Sequence, residues 1–192
     1  MKSKRNQEEF EEKQQQLQKL EKLQEQGYVQ LYYYDESSFS LCSALPYAWQ
    51  KKGQTIQIPA SKGKRMNVAG LINTQGDFYY HAQDHNITST AVISFLDQVC
   101  EKLQQKTIVV VDNAPTHRSK AFLEKIPLWQ EQDLYIFFLP PYSPELNKIE
   151  MLWKKIKYYW LDFNAYLSWQ NLQSCLKQVL DNVNQKYIIN FV

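Results

Sequence analysis

One uninterrupted apolar run limits the folds that this sequence can adopt. The stretch TIVVVDNAPTH, residues 107–117, opens with β-branched residues that leave no polar face. A strand of this kind must be covered on both sides, as the central strands of layered α/β proteins are. The run ends at Asp112, which places a carboxylate just beyond the strand. The pattern therefore predicts a buried central strand in a sheet with helices on both faces.

The remaining patterns predict one mixed sheet. Strand-like runs occur at VQLYYYDES, which we expect to end at Asp35, and at MNVAGLIN, DFYYHAQ and LYIFFLPP. Helical spacing follows Thr88, recurs from Phe122 to Trp129, and continues over residues 168–184. AWQKKGQTIQIP is predicted to form a hairpin or a long loop at the sheet edge, and the tail KYIINFV to pack back on the core. This order favours a single sheet with chemistry beyond the ends of its central strands.

The length of 192 residues suits one domain. Residues 1–27 consist mainly of Lys, Glu and Gln with a thin apolar stripe, and we interpret them as a charged helical leader or connector. A short coiled-coil seam fits them less well, because sustained heptads are missing. Residues 28–192 are predicted to form the folded domain.

Cysteine content and hydropathy indicate a cytoplasmic protein. The three cysteines are far apart and odd in number, which favours neither a disulfide framework nor a zinc site. No apolar run approaches the roughly 18 residues needed to cross a bilayer, so no membrane contact is expected. The net charge is only +2, so any contact with nucleic acid must come from local basic patches.

Three carboxylates could converge at the end of the predicted sheet. Asp35 and Asp112 each follow an apolar strand, and Glu150 lies on a predicted helix. Either aspartate alone could simply cap the next turn. Together, however, three converging carboxylates repel one another unless a cation lies between them, and oxygen ligands suit Mg²⁺. Two such ions roughly 3.5–4 Å apart can drive phosphodiester cleavage without a nucleophilic side chain.

Other catalytic schemes lack their motifs. The sequence contains neither a Walker-type phosphate loop nor a G-x-S-x-G elbow. His81 and His85 are four residues apart, but they close a predicted strand, where that spacing spans about 13 Å. We therefore interpret both histidines as surface loop residues.

Three blocks give a specific resemblance. YYDESSF, VVVDNAPTH and FFLPPYSPELNKIEMLWKKIK occur in this order, with 37 residues between Asp112 and Glu150. Together they resemble the DDE blocks of insertion-sequence transposases of the mariner-like superfamily. The resemblance runs from about Leu31 to Trp160. Other ribonuclease H-like nucleases, such as a Holliday-junction resolvase or ribonuclease H, fit the PPYSPELN block less well.

The resemblance implies a ribonuclease H-like mixed five-stranded sheet flanked by helices. It also implies Mg²⁺ or Mn²⁺, as two ions, with Asp35 bridging both and Asp112 and Glu150 each holding one. The implied function is DNA cleavage at transposon ends followed by strand transfer of the 3′-hydroxyl into target DNA. The implied partners are transposon-end and target DNA and a second copy of the chain, with nucleoid association when DNA is bound.

The resemblance leaves one part unmatched. Related transposases carry an N-terminal helix-turn-helix region, whereas only the charged leader precedes the first strand here, so a separate helix-turn-helix half is a possible partner. Two alternatives stay open: another metal-dependent nuclease of the same fold, or an inactive remnant that only binds DNA or dimerises.

Several residues are candidates for DNA contact. Asn113 and His117 lie in the second block; His117 could contact phosphate or simply order its loop. The other candidates are the loop residues Lys62, Lys64 and Arg65, and the helical residues Asn147, Lys154 and Lys157, which share the spacing of one helix face with Glu150.

The third block also contains a second glutamate. Ser143 is expected to cap the helix, Pro144 to occupy its first position, and Glu145 to lie in its first turn. That gives Glu145 a structural role and leaves Glu150 as the predicted metal ligand. Trp153 falls on the apolar face and is predicted to belong to the core.

Overall fold

A five-stranded mixed sheet forms the centre of the molecule. The computed structural model describes residues 5–42, 51–53 and 63–191. The strands are β1 (Gln30–Ser40), β2 (Arg65–Asn73), β3 (Phe78–Gln83), β4 (Thr107–Val111) and β5 (Leu134–Phe138), in the spatial order β3-β2-β1-β4-β5. Strands β1, β2 and β3 pair antiparallel, whereas β4 and β5 extend the sheet in parallel with β1. The predicted ribonuclease H-like architecture is confirmed.

Helices cover both faces of this sheet. They are α1 (Gln7–Glu25), α2 (Ser89–Cys100), α3 (Lys120–Gln130), α4 (Ile149–Lys155) and α5 (Trp169–Asp181). Short 3₁₀ turns occur at Pro144–Leu146 and Phe163–Leu167, and a π-helical turn follows α4 at Ile156–Trp160. Among the described residues, no helix is both long and apolar enough to span a bilayer.

Strand β4 is buried on both faces, as its composition predicts. All five of its residues are buried. Ile108 and Val110 join the core on the side of α1, α4 and α5, whereas Val109 and Val111 join the core on the side of α2 and α3. The strand therefore separates two hydrophobic clusters, which explains why none of its positions is exposed.

Strand β1 is longer than predicted. It does not end at Asp35 but continues to Ser40, because its antiparallel ladder with β2 extends to the pair Ser40↔Arg65. The parallel ladder with β4, in contrast, ends at Tyr33↔Val110. Asp35 is therefore in mid-strand along β2 but lies just beyond the carboxyl end of the parallel half of the sheet.

Helix α1 packs against the sheet. The helix expected in the leader is present, with Asn6 as its N-cap, and Phe10 and Leu17 are buried in the core. The side chain of Gln24 accepts a hydrogen bond from the backbone N–H of Leu31 at 3.0 Å. This helix is thus in direct contact with β1, and the domain boundary at residue 27 stays a prediction.

Helix α4 begins later than predicted. Pro144 and Glu145 belong to a 3₁₀ turn, Ser143 makes no side-chain cap, and the α-helix starts at Ile149. The Ser143 hydroxyl donates to the carbonyl of Pro141 at 3.3 Å and accepts no N–H from the turn that follows.

The remaining expectations concern the end of the chain and one loop. Helix α5 is capped by Ser168, and the tail packs back through the buried side chain of Ile189. AWQKKGQTIQIP lies outside the described residues except for positions 51–53, and Lys62 lies outside them as well.

Candidate active site

Three acids from three elements line one cavity. Asp35 is on β1, Asp112 directly follows β4, and Glu150 is the second residue of α4. All three border a cavity of about 450 Å³ whose remaining wall is formed by the loops after β4 and β5. The structure therefore brings together the three acids that the sequence analysis selected.

Asp35 is a partly buried carboxyl group. Burial, followed by the negative charges of Glu150 and Glu36, raises the pKa of Asp35 to about 8. Its carboxylate Oδ2 accepts a hydrogen bond from the indole Nε1–H of Trp153 at 3.2 Å. Trp153 is a core residue, as predicted, but its contact with Asp35 was not predicted.

Asp112 has a different environment. Burial alone would raise the pKa of Asp112, but hydrogen bonds from His117 and from the backbone N–H of Ala114 lower it below its usual value. The two donors reach Oδ1 at 2.8 Å and 2.9 Å. The bond from Ala114 is the turn-capping contact expected for an aspartate after a strand, so this residue caps a turn and borders the cavity at once.

His117 joins two carboxylates beneath the cavity. Its side chain is fully buried, with Nδ1 on Asp112 and Nε2 at 3.2 Å from Glu36. Burial opposes its protonation, but these two carboxylates raise the pKa of His117 to about 9. The sequence left two roles open for His117, contact with phosphate and ordering of its loop. Its contacts with Asp112 and Glu36 fit the second role.

Glu36 was not selected from the sequence. It faces the opposite side of β1 from Asp35, where its Oε1 accepts the hydroxyl hydrogen of Tyr34 at 2.9 Å. Tyr34 and Glu36 are two residues apart on a strand, so the sequence could have placed them on one face. The contact of Glu36 with His117 spans 81 positions and could not be deduced from local spacing.

Glu150 and Glu145 have different surroundings. Burial raises the pKa of Glu150; Lys157 opposes that shift and Asp112 adds to it. Glu145 forms an ion pair with Arg5 at the start of the chain. Among the three acids at the cavity, Glu150 is thus the one with a lysine beside it.

Two asparagines hold the loops around the cavity. The side-chain amide of Asn113 donates to the carbonyl of Leu139, and its Oδ1 accepts from the Nε of Arg118 at 2.6 Å. Asn147 is 4% exposed and donates to the backbone carbonyl of Tyr34 at 2.9 Å. Its Oδ1 has no hydrogen-bond donor within the part of the chain that the structure describes.

The predicted stripe on the helix is present only in part. Asn147 precedes α4 and is buried, so it does not belong to an exposed helix face. Lys154 is exposed and borders a second cavity with Glu150, and Lys157 is half-buried with its Nζ 5.5 Å from the ring centre of Phe39. Lysines therefore flank Glu150 as expected.

The other proposed DNA contacts lie at the start of β2. Lys64 and Arg65 are exposed, and Arg65 pairs with Ser40, five positions beyond Asp35 on β1. His81 and His85 are exposed, as predicted, but His81 lies within β3 and only His85 is in a loop, so the prediction of two loop residues is wrong for His81.

The donor set fits a hard divalent cation. The cavity offers the carboxylate oxygens of three acids, and the charges of nearby acids, Glu150 first among them, add to burial in raising the pKa of Asp35. Within the described ranges, no group of three or more His, Cys, Asp or Glu side chains is arranged closely enough to hold a metal ion. An open arrangement suits Mg²⁺, which usually keeps waters and takes substrate phosphate oxygens as further ligands.

Known proteins share this fold. The catalytic domain of Mos1 mariner transposase matches with a TM-score of 0.61 at 13% identity, over 95% of this chain and 86% of that chain. The Mos1 mariner paired end complex with Mn gives 0.64 at 14% identity, and the Mos1 paired-end complex with left transposon end gives 0.63 at 16%. Both matches cover 95% of this chain but 57% of the Mos1 chain. No curated protein matches the sequence.

A family model gives the assignment at the level of the sequence. The model described as DDE superfamily endonuclease matches residues 30–173. That range contains all five strands and the three acids of the cavity. The chain therefore belongs to the DDE superfamily of endonucleases.

Proposed function

We propose that this chain is a transposase catalytic domain that cuts DNA at transposon ends and joins the freed 3′-hydroxyl to target DNA. The observation that carries the proposal is the convergence of Asp35, Asp112 and Glu150 on one cavity. Membership of the DDE endonuclease superfamily supports it, as does the structural similarity to Mos1 transposase.

In the proposed site Asp35, Asp112 and Glu150 hold two divalent cations, Mg²⁺ or Mn²⁺. Mos1 structures described as containing Mg and Mn support this choice. When bound, such ions activate a water or a 3′-hydroxyl for attack on phosphorus and stabilise the leaving oxygen. Asp35 is held by its position within β1, and Asp112 is held by its hydrogen bond with His117.

Lys154 and Lys157 are the proposed phosphate contacts beside Glu150. Their charges lie next to the cavity, where a DNA backbone would bring its own negative charge. Lys64 and Arg65, at the start of β2, are proposed as a second contact, together with Lys62, which lies outside the described residues. Asn113, Asn147 and His117 were proposed from the sequence as DNA contacts, but their hydrogen bonds favour a role in holding the loops and the acids.

The proposed partners are transposon-end and target DNA, a second copy of the chain and a helix-turn-helix half. The Mos1 complexes described as paired-end complexes support pairing of two ends. This chain covers less than two thirds of the Mos1 chain in those complexes, which leaves room for an end-recognition domain in the longer protein.

The test substitutes Asp112, whose carboxylate accepts hydrogen bonds from His117 and from the backbone N–H of Ala114. The protein is incubated with Mn²⁺ and a plasmid carrying the terminal repeats of its element, with a helix-turn-helix half supplied. We expect nicking and joining by the wild type and none by Asp112→Asn. The control is Asp97→Asn, because Asp97 contacts Lys125 and Trp129 away from the cavity and should leave activity unchanged.

The possible outcomes separate the alternatives. Activity that survives Asp112→Asn would contradict the site. Nicking without joining would favour another nuclease of this fold, and a wild type without activity would favour an inactive remnant.

A further inference from the structure

The indole of Trp153 connects the hydrophobic core with the first acid of the site. Its side chain is 2% exposed, and its Nε1–H donates to Oδ2 of Asp35 at 3.2 Å. Trp153 and Asp35 are 118 positions apart, on α4 and β1. A core residue on the helix of Glu150 therefore reaches the acid on the central strand.

A glycine makes room for this contact. Gly70 on β2 is paired directly opposite Asp35. A Cβ atom at Gly70 would lie 2.6 Å from Cη2 and 2.8 Å from Cζ2 of the Trp153 ring. Real Cβ contacts are not this short, so any larger residue at Gly70 would displace the indole. The ring also packs edge-on against Phe39, with 6.3 Å between the ring centres, so its position is fixed from two sides.

The chemistry of the donor is as informative as its position. An indole N–H is a neutral donor, so it can restrict the rotation of a carboxylate without supplying a charge that would compete with a cation. Asp112, by comparison, is held by the imidazole of His117, whose Nδ1 lies 2.8 Å from its Oδ1. The indole therefore orients the carboxyl group of Asp35 without placing a positive charge beside it.

We propose that Trp153 is a positioning residue that holds the carboxylate of Asp35 in the orientation required to bind a divalent cation. Gly70 provides the space in which the indole does so. This inference rests on the metal site of the proposed function. It assigns Trp153 a role in metal affinity in addition to its role in the core.

The first test measures Mn²⁺ binding in the absence of DNA, by the electron paramagnetic resonance signal of free Mn²⁺. Trp153→Phe keeps most of the ring but removes the N–H. We expect it to weaken Mn²⁺ binding about 10- to 100-fold, as the loss of partners of metal ligands typically does. Asp35→Asn should abolish binding at the same site.

The chain offers a matched control. Trp129 is 1% exposed, and its Nε1–H donates to Oδ1 of Asp97 at 2.8 Å, on the other side of the sheet. Trp129→Phe removes the same kind of bond from the core, so it should lower thermal stability but leave Mn²⁺ affinity within twofold of wild type. Equal Mn²⁺ affinities of Trp153→Phe and Trp129→Phe would overturn the inference.

A second measurement covers the case in which Trp153→Phe does not fold. In the wild type, the indole N–H resonance of Trp153, assigned through the backbone, should shift when Mg²⁺ is added, whereas that of Trp129 should not. If Mg²⁺ binds but the Trp153 resonance does not move, the inference about Trp153 is overturned and the proposed metal site stands. If wild type and Asp35→Asn bind Mn²⁺ equally, the proposed metal site fails, and this inference fails with it.

Discussion

At the scale of single residues, two glutamates five positions apart differ in their contacts. Glu150 borders the cavity of Asp35 and Asp112, and Asp112 contributes to the rise in its pKa. Glu145 is directed to Arg5 and the start of the chain. Proximity to the other acids, rather than helix position, separates a candidate metal ligand from a structural residue.

Exchanging each glutamate for glutamine tests this difference. Glu150→Gln removes a negative oxygen ligand, and we expect it to abolish Mn²⁺-dependent nicking of terminal-repeat DNA. Glu145→Gln weakens the ion pair with Arg5 but removes no acid from the cavity, so its nicking rate should stay within about twofold of wild type. Loss of activity in both variants, with both still folded, would contradict the assignment.

The three acids that the sequence predicts do border one cavity, but the contacts that hold them were not predicted. Asp112 directly follows an apolar strand, as the local pattern predicts, whereas Asp35 was predicted at the end of β1 and lies in mid-strand beside β2. The bond from Trp153 to Asp35 and that from His117 to Glu36 join residues 118 and 81 positions apart. Such contacts depend on the three-dimensional arrangement of elements, which no local pattern contains.

At the scale of elements, α1 shows how a helix with few apolar residues can still belong to the core. Gln24 accepts the N–H of Leu31 and donates to Thr74 at 2.6 Å. Glu21 accepts the hydroxyl hydrogen of Tyr33 at 2.7 Å and forms an ion pair with Lys148. The apolar pattern predicted the helix. It contains no information on polar contacts with β1 or with the turn after β2, so the docking of α1 was not predicted.

Gln24 provides a direct test of this docking. Gln24→Ala leaves the buried N–H of Leu31 without its acceptor, which typically costs about 1–3 kcal/mol. We expect the free energy of unfolding, measured by urea denaturation, to fall by this amount. Gln18→Ala makes the same change on an exposed position of α1 and should alter it by less than about 0.5 kcal/mol. Equal effects would show that α1 does not depend on the contact with β1.

The third block illustrates the limit of local rules for elements. Ser, Pro and Glu in succession are typical of a helix start, yet the chain forms a 3₁₀ turn there and α4 begins at Ile149. The core side chains Ile149, Leu152 and Trp153 set the axis of α4 against the sheet. Packing of these residues outweighs the capping preference of Ser143.

At the scale of the whole molecule, charge is distributed unevenly. The chain carries a net charge of +2, yet one cavity gathers three carboxylates at the end of the sheet. The fold therefore brings mutually repelling carboxylates together at one cavity. The free energy of folding must depend on how their charge is neutralised, by protons or by cations.

This dependence gives a prediction for the metal-free protein. The pKa of Asp35 is about 8, above its usual value of 3.8, so the folded state retains a proton that the unfolded chain releases. Stability is then lost as pH rises from about 4 through 8. The pKa of His117 is about 9, above its usual 6.5, so its contribution is complete below pH 6.5 and is lost as pH rises through 9. Both groups act in the same direction.

We therefore expect the free energy of unfolding, measured by urea denaturation with a chelator present, to fall between pH 6 and pH 9. The free energy of unfolding then falls by up to about 1.4 kcal/mol per pH unit for each group that binds one proton more in the folded state than in the unfolded state. Asp35→Asn removes the first group, so it should reduce the slope between pH 6 and 8 and raise stability at pH 8. Saturating Mg²⁺ should stabilise the wild type at pH 8 and leave Asp35→Asn unchanged. A wild type whose stability is constant or rises over this range would contradict the raised pKa of Asp35.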